Sequence, residues 1–261
     1  MSHRMKTSRF ASALMALGFL ACGGEPDEVA VPGVQTQEIL GGSLAARYEL
    51  PHQVRLHVTG AFTCGGTLLR AGWVVTAAHC VEGVTPASMR IYAGDLRLGS
   101  VEADEQYRAV SRKVMHPSYD GSVHDVALLQ LAQPFNLSQA VRTLTLPDAP
   151  APLGAPYVAS GWGRTQTAPT SDALKRVSLS ITSTATCRDM VGSDYVNGAV
   201  LCTAPSATAN VCTKDDGGPL AFNGKLYGIV SGFGSNQCNT FSMFTNVATY
   251  TPWIRSVING T

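Results

Sequence analysis

Residues 73–80 read Trp-Val-Val-Thr-Ala-Ala-His-Cys. Such a run of apolar and β-branched residues is typical of a buried strand, and this one ends by presenting His79 beside Cys80. A histidine in this position is either a structural residue or a general base. The stretch therefore predicts a β-rich core and one candidate group for proton transfer.

Short β-type runs separated by turn residues continue on both sides of this stretch. They span residues 53–58, 72–77, 89–93, 109–115, 126–131, 177–181, 226–231 and 241–247. Because no helical periods intervene, the pattern predicts an antiparallel all-β barrel or sandwich. The exception is 250–259, where apolar residues recur at helical spacing from Tyr250 to Val257. We expect a C-terminal helix there.

The length and composition allow a substantial core. With 261 residues, of which 45% are hydrophobic and 14% charged, the chain can bury one large domain or two packed subdomains. The proline-rich stretch 147–156 is the best internal linker, and it separates two halves of similar strand content.

A second candidate group lies at the start of another apolar run. Residues 124–131 read His-Asp-Val-Ala-Leu-Leu-Gln-Leu, so that Asp125 precedes a buried strand. This carboxylate is either a turn or cap residue, or the group that orients His79. In the second case the two residues require a nucleophile nearby.

The third chemical element is residues 212–220, Cys-Thr-Lys-Asp-Asp-Gly-Gly-Pro-Leu. With it, the chain from Ile39 to about Asn259 resembles the trypsin and chymotrypsin family of serine peptidases. The other matching segments are 39–42 (Ile-Leu-Gly-Gly), 50–56 (Leu-Pro-His-Gln-Val-Arg-Leu), 64–68 (Cys-Gly-Gly-Thr-Leu), 76–80 (Thr-Ala-Ala-His-Cys), 125–129 (Asp-Val-Ala-Leu-Leu), 161–164 (Gly-Trp-Gly-Arg) and 228–231 (Gly-Ile-Val-Ser).

The resemblance implies a chymotrypsin-like fold. We expect two antiparallel β-barrels, about 39–146 and about 147–249, with the active site in the cleft between them and the C-terminal helix outside. Spacing alone leaves fifteen possible pairings for six cysteines. The resemblance implies one of these sets, namely Cys64–Cys80, Cys187–Cys202 and Cys212–Cys238.

The resemblance also assigns roles to single residues. His79 corresponds to the general base and Asp125 to the carboxylate that orients it. Asp215 corresponds to the buried group that receives the amine of a new N-terminus, here Ile39, after activation cleavage.

A pocket for the substrate's side chain is implied by the same resemblance. Asn210 corresponds to its floor, with Gly234 and Ser242 near its walls. An amide at the floor lacks the charge that would select Lys or Arg substrates.

Two positions depart from the family motif Gly-Asp-Ser-Gly-Gly-Pro: Lys214 replaces its first glycine and Asp216 replaces the nucleophilic serine. The backbone N–H groups at these two positions form the oxyanion hole, the pair of donors that stabilises the tetrahedral intermediate. A carboxylate is a poor nucleophile toward amides, and a lysine Cβ disfavours a backbone conformation that glycine adopts freely. Thr213 offers a hydroxyl, but the family pattern places it at the cleft rim.

We therefore expect a serine peptidase homologue that is catalytically inactive and acts as an envelope-associated binding or scaffolding module. One alternative is an endopeptidase of this family with residual or rearranged activity. Others are an acid–base hydrolase that uses Asp216 with His79, and a purely structural envelope protein.

The first 21 residues predict a secretory signal peptide. Arg4, Lys6 and Arg9 precede an apolar run from Phe10 to Ala21 that is too short to span a bilayer as a helix. Residues 22–38 lack periodicity and large apolar side chains, which favours a tether or propeptide-like linker.

The end of this leader, Leu-Ala-Cys-Gly-Gly at 20–24, resembles a bacterial lipoprotein processing site with Cys22 as the lipidated residue. The alternative is a plain signal peptide that leaves Cys22 as a free thiol. Of the seven cysteines, six remain once Cys22 is set aside, an even number suited to disulfides in an oxidising compartment. We therefore expect an exported lipoprotein at the periplasmic or outer face of a bacterial membrane, or a secreted protein.

Other partners receive no support from the sequence. From Ile39 onward there are 16 Lys and Arg against 14 Asp and Glu, a net charge of +2 without a basic cluster, which argues against nucleic-acid binding. The chain contains no Cys-x-x-Cys pair, so no metal site is predicted. We expect a monomer that needs no cofactor and binds a protein or peptide of unknown identity.

Overall fold

A computed structural model describes residues 42–192, 195–196 and 198–260. Strands and helices run in the order β1 (Ser43–Leu44), β2 (Gln53–Val58), β3 (Ala61–Arg70), β4 (Trp73–Thr76), β5 (Met89–Ala93), β6 (Gln106–Met115), β7 (Ala127–Leu131), β8 (Tyr157–Gly161), β9 (Lys175–Leu179), α1 (Thr184–Val191), β10 (Val200–Cys202), β11 (Pro219–Phe222), β12 (Lys225–Phe233), β13 (Ser242–Asn246) and α2 (Val247–Asn259), with a short 3₁₀ turn at Pro86–Ser88.

The first half of the chain forms a closed antiparallel barrel in the order β2-β3-β4-β7-β6-β5. Its strands alternate as a barrel requires: in β5, Met89, Ile91 and Ala93 are fully buried while the residues between them are partly exposed. β4 and β7 are buried almost throughout. The continuous apolar runs that predicted buried strands therefore correspond to the centre of this barrel.

The second half forms a seven-stranded antiparallel sheet in the order β1-β9-β8-β11-β12-β13-β10. An isolated bridge between Ile181 and Thr203 joins the β9 side to the β10 side, so the sheet curls back on itself. The prediction of an all-β, chymotrypsin-like fold with a C-terminal helix is confirmed. One detail differs, since β1 lies in the range expected for the first barrel but pairs with β9 of the second sheet.

The C-terminal helix begins at Val247, three positions before the expected start at 250. Val247, Tyr250, Ile254 and Ile258 are buried in the same hydrophobic cluster as the first-barrel core. This spacing places them along one stripe of the helix. Trp253 and Val257 pack beside this stripe and are only partly buried.

All three predicted disulfides, Cys64–Cys80, Cys187–Cys202 and Cys212–Cys238, are confirmed. The second of them attaches α1 to β10. Cross-links of this kind are typical of proteins exported to an oxidising compartment.

The predicted signal peptide at 1–21, Cys22, the tether at 22–38 and Ile39 all lie outside the described residues. The described residues belong to one structural unit. Within the part of the chain that is described, no helix is both long and apolar enough to cross a membrane.

Candidate functional site

Strand pairing brings His79 and Asp125 together. Thr76 at the end of β4 pairs with Ala127 at the start of β7. His79, which follows β4, therefore lies beside Asp125, which precedes β7. The Nδ1 atom of His79 lies 2.7 Å from Asp125 Oδ2, and the His79 backbone N–H donates to Asp125 Oδ1 at 2.9 Å. The carboxylate therefore fixes both the position and the ring orientation of His79.

The Asp125 carboxylate has a further hydrogen-bond partner, Ser231, to which the sequence analysis assigns no role. The hydroxyl of Ser231, in β12, donates to Asp125 Oδ2 at 2.6 Å. Thr245 Oγ1, in β13, donates to the backbone carbonyl of Asp125 at 2.7 Å. Both strands belong to the second sheet, so the two halves of the protein hold this residue jointly. Ser231 lies inside a matching segment, which is the only signal that could have drawn attention to it.

Asp216 lies on a turn that packs tightly against the first barrel. Its backbone carbonyl accepts the N–H of Gly65 at 2.8 Å. Gly217 has a φ of 76°, and a Cβ there would collide with Thr76 Oγ1. A Cβ at Gly218 would lie 2.8 Å from the backbone oxygen of Ser160. The paired glycines therefore allow the turn to come this close to its neighbours.

The side chain of Asp216 lies between His79 and the backbone of Lys214. Its Oδ1 atom is 3.9 Å from His79 Nε2. Its Oδ2 atom accepts the backbone N–H of Lys214 at 3.1 Å. The donor that would stabilise a substrate oxyanion is therefore already bound to a carboxylate of the protein itself.

Lys214 adopts the left-handed backbone conformation that favours glycine, with a φ of 77°. A non-glycine residue held in this region costs about 1–3 kcal/mol. Its Nζ atom donates to the carbonyl of Phe62 at 3.3 Å, which holds the side chain against the first barrel. The backbone thus keeps a shape suited to glycine although the residue is lysine.

The pKa values of both His79 and Asp216 are raised. Burial lowers the pKa of His79, but the hydrogen bond that its ring donates to Asp125 and the charges of Asp125 and Asp216 outweigh this effect, so the net shift is upward. Burial raises the pKa of Asp216, and this effect exceeds the opposing charge of His79. The arrangement favours an imidazolium at His79, which cannot accept a proton from a nucleophile.

We expect an NMR titration of the ring resonances to give His79 a pKa above its ordinary value of about 6.5. In an Asp216→Asn variant this pKa is expected to fall, because one of the two neighbouring negative charges is removed. A pKa at or below the ordinary value in the unmodified protein would contradict the arrangement. An unchanged pKa in the variant would show that Asp216 does not act on the ring.

Asp215 is fully buried and is held by backbone donors. Gly163 N–H donates to Oδ1 at 2.8 Å and Cys212 N–H donates to Oδ2 at 2.9 Å. A Cβ on Gly161 or Gly163 would collide with this carboxylate, which accounts for the glycines in the segment 161–164. Burial raises the pKa of Asp215 to about 7. Among the described residues no cationic group is bonded to it, and Ile39 lies outside them.

The side-chain pocket expected at Asn210 is closed. Asn210 has no exposed surface, its amide donates to the carbonyl of Ser206, and its Oδ1 accepts from Ser242 Oγ at 3.2 Å. The ring of Phe241 lies so close to Gly234 that a Cβ on this glycine would collide with it. The three predicted residues therefore occur in one region, but Asn210 does not present its amide to a ligand.

An open cleft of about 510 Å³ remains beside this closed region. His79, Asp125 and Ser231 line its polar side. The other walls are mostly apolar and include residues that carried no sequence signal, namely Val123, Met190, Val191, Val200, Phe233, Phe241 and Met243. The cleft combines a charged end with an apolar wall, which suits a ligand that is itself partly apolar.

One group of possible metal-binding residues exists among the described residues, formed by Cys64, His79 and Cys80. The two sulfur atoms are bonded to each other in a disulfide, so neither can act as a thiolate ligand. This group therefore does not make a metal centre.

Comparison with known proteins gives a consistent result. The family model described as Trypsin matches residues 39–254. Trypsin from Sus scrofa is 31% identical over 232 residues, which cover 87% of this chain and 98% of that protein. Anionic trypsin from Bos taurus is 32% identical over 235 residues (88% and 93%). Human chymotrypsin-like elastase family member 1 is 34% identical over 242 residues (84% and 92%).

Proposed function

Because the chain belongs to the trypsin family, we propose that it is an exported serine peptidase homologue whose cleft binds a protein or peptide without cleaving it. The observation that carries the proposal is the position of Asp216. Its carboxylate takes the place of the nucleophile, faces His79 and accepts the backbone N–H of Lys214.

The chemistry of acyl transfer supports this proposal at two steps. Attack by the Asp216 carboxylate on a peptide carbonyl would give an anhydride no more stable than the peptide bond. The developing oxyanion would also have to displace the carboxylate from the Lys214 N–H. His79 and Asp125 keep their hydrogen bonds, but they have no hydroxyl to activate at position 216.

The apolar cleft supports a binding role, since it lies directly beside this altered centre. A partner that presents an extended segment with apolar side chains would bury them against Phe233 and Met243. The retained link from Ser231 through Asp125 to His79 is the observation that favours the alternative, a hydrolase with residual or rearranged activity.

Three assays on the purified protein separate these functions. We expect no hydrolysis of a mixed peptide library, no labelling by a fluorophosphonate probe, and retention of a subset of the same peptides. A Ser122→Trp variant, which places a bulky group on the exposed rim of the cleft, is expected to lose this binding. Substitution of Thr170, which does not line the cleft, provides the matched control. Hydrolysis abolished by Asp216→Ala would instead establish the alternative.

We also propose that the protein is held to a bacterial envelope membrane through a lipid on Cys22. The Leu-Ala-Cys-Gly-Gly junction and the odd cysteine outside the three disulfides support this. Mass spectrometry of the N-terminal peptide is expected to give a diacylglyceryl-modified Cys22, and a Cys22→Ser variant is expected to leave the membrane fraction. An unmodified thiol at Cys22 would overturn the anchor.

A further inference from the structure

The altered centre offers a hydrogen-bond acceptor where peptide hydrolysis needs donors. A centre that stabilises an oxyanion presents N–H groups to the carbonyl oxygen of its ligand. Here the backbone N–H of Lys214 is already bound by Asp216 Oδ2 at 3.1 Å. The group that faces a ligand is therefore the other oxygen of this carboxylate, and the centre suits a ligand that donates hydrogen bonds.

Asp216 Oδ1 has room for such a donor. It lies 3.9 Å from His79 Nε2, which is beyond the distance of a hydrogen bond. The side chains of Asp216 and His79 keep 17% and 34% of their surface exposed, so both can be reached from the solvent. The ammonium of Lys214, the nearest cation along the chain, donates to the carbonyl of Phe62. A donor from outside the protein can therefore bind at Oδ1.

The charge around this oxygen is negative. Three carboxylates act on the neighbouring imidazole ring, namely Asp125, Asp216 and Glu82. One imidazolium at His79 does not balance three negative charges. Asp125 already accepts the ring and backbone N–H groups of His79 and the hydroxyl of Ser231. The unbalanced charge is therefore carried by the more accessible carboxylates, and it favours a cation over a neutral donor.

The cleft supplies an apolar surface beside this charge. His79 lines the cleft of about 510 Å³ together with Phe233 and Met243. A ligand that occupies the cleft and also contacts Asp216 needs a cationic group at one end and an apolar body next to it.

We propose that the cleft recognises a peptide that carries a primary ammonium group, bound by Asp216 Oδ1, next to apolar side chains that pack against Phe233 and Met243. Recognition of this kind rests on the proposed binding function of the cleft and defines the class of its ligand. The ammonium belongs either to the N-terminus or to a lysine side chain, since the chemistry of the two is the same. A carboxylate or carbonyl oxygen placed at this centre would meet another acceptor instead.

Three small probes test the preference without a peptide assay. Phenylbutylamine, phenylbutanol and phenylbutyrate share an aromatic ring on a short chain and differ in the end group. In calorimetric titrations at neutral pH we expect the amine to bind at least roughly tenfold more tightly than the alcohol, because a hydrogen bond to a charged group is stronger. We expect the carboxylate to bind most weakly.

Asp216→Asn keeps the size of the side chain and an acceptor for the Lys214 N–H. This variant is expected to bind the amine no more tightly than the alcohol, while Asp172→Asn, at an exposed carboxylate that does not line the cleft, is expected to keep the preference. A preference for the amine that survives in Asp216→Asn would overturn the proposal, as would equal affinity of the unmodified protein for the three probes.

NMR titration of His79 locates the bound amine. An ammonium at Asp216 adds a positive charge beside the ring, so its binding is expected to lower the pKa of His79, whereas phenylbutanol is expected to leave it unchanged. A pKa that saturating amine does not lower would place the amine elsewhere and overturn the proposal.

Two peptides then distinguish the sources of the ammonium. One has a free N-terminus and no lysine, and the other has an acetylated N-terminus and a single lysine. We expect at least one of them to bind more tightly than the peptide in which both amines are acetylated, and equal binding of all three would overturn the proposal. Cleavage of these peptides would instead contradict the proposed function, and the affinities of the small probes would not depend on it.

Discussion

A serine at position 216 is expected to restore at most weak peptidase activity, whereas Lys214→Gly combined with Asp216→Ser is expected to restore substantially more. In an enzyme of related chemistry, loss of the serine lowers turnover by about a millionfold. Asp216→Ser also removes the carboxylate that occupies the Lys214 N–H. The additional gain in the double variant is therefore expected to come from a glycine that holds the left-handed backbone at position 214 without strain.

The measurement is hydrolysis of a mixed peptide library by chains whose N-terminus has been made Ile39, so that the new amine can reach Asp215. A library is needed because the region around Asn210 is closed and no preferred side chain follows from it. Lys214→Gly alone is the matched control, and it is expected to remain inactive. Peptide cleavage by the unmodified protein that disappears in His79→Ala would show that the carboxylate takes part in an unexpected mechanism.

The uncut protein is expected to lose stability as the pH rises from about 4 to about 7. The pKa of Asp215 is raised to about 7 from an ordinary value of 3.8 by burial. When a carboxyl group has a higher pKa in the folded state than in the unfolded state, its contribution to the stability of the fold is fully present below the unfolded-state pKa. This contribution is lost as the pH rises through the folded-state pKa. The full effect corresponds to about 4 kcal/mol in the free energy of unfolding.

Urea unfolding of the uncut chain at several pH values, compared with Asp215→Asn, isolates this group. The variant has no titrating carboxyl, so its stability relative to the parent is expected to improve steadily across the same pH range. Asp172→Asn, which changes an exposed carboxylate, is the matched control. Its stability is expected to change with pH in the same way as that of the parent. Parallel profiles for Asp215→Asn would mean that a cation already neutralises the buried carboxylate, as the amine of Ile39 would after cleavage.

Five of the six strands of the first barrel could be predicted from the sequence because each carries a local signal, whereas β3 (Ala61–Arg70) was not among the predicted runs. The run 89–93 alternates between buried and partly exposed residues and was expected at the bounds that the structure has. The helix α1 has no such signal, because Cys187 is its one buried residue and no apolar stripe exists. Ser183, which accepts the N–H of Thr186 as an N-cap, was the available indication.

The contacts in the candidate site also fall into two groups, those that follow from a local sequence pattern and those that do not. Each of His79 and Asp125 lies at the end of a predicted buried strand, so their approach follows from the pairing of those strands. The bond from Ser231 to Asp125 depends on how the two halves of the protein meet, which no local pattern encodes. The burial of Asn210 depends on how its amide meets Ser206 and Ser242, and the contact of Asp216 with Lys214 depends on the backbone shape of one turn.

The closed region around Asn210 affects how this protein would be detected in a living sample. Affinity resins and chromogenic substrates for peptidases of this type depend on inserting one side chain into a pocket, and here Asn210 is buried and bonded to Ser206 and Ser242. Under the proposed function, activity-based surveys would therefore not register the chain. Antibodies, or baits that display extended apolar segments to the neighbouring cleft, are the reagents that its surface can bind.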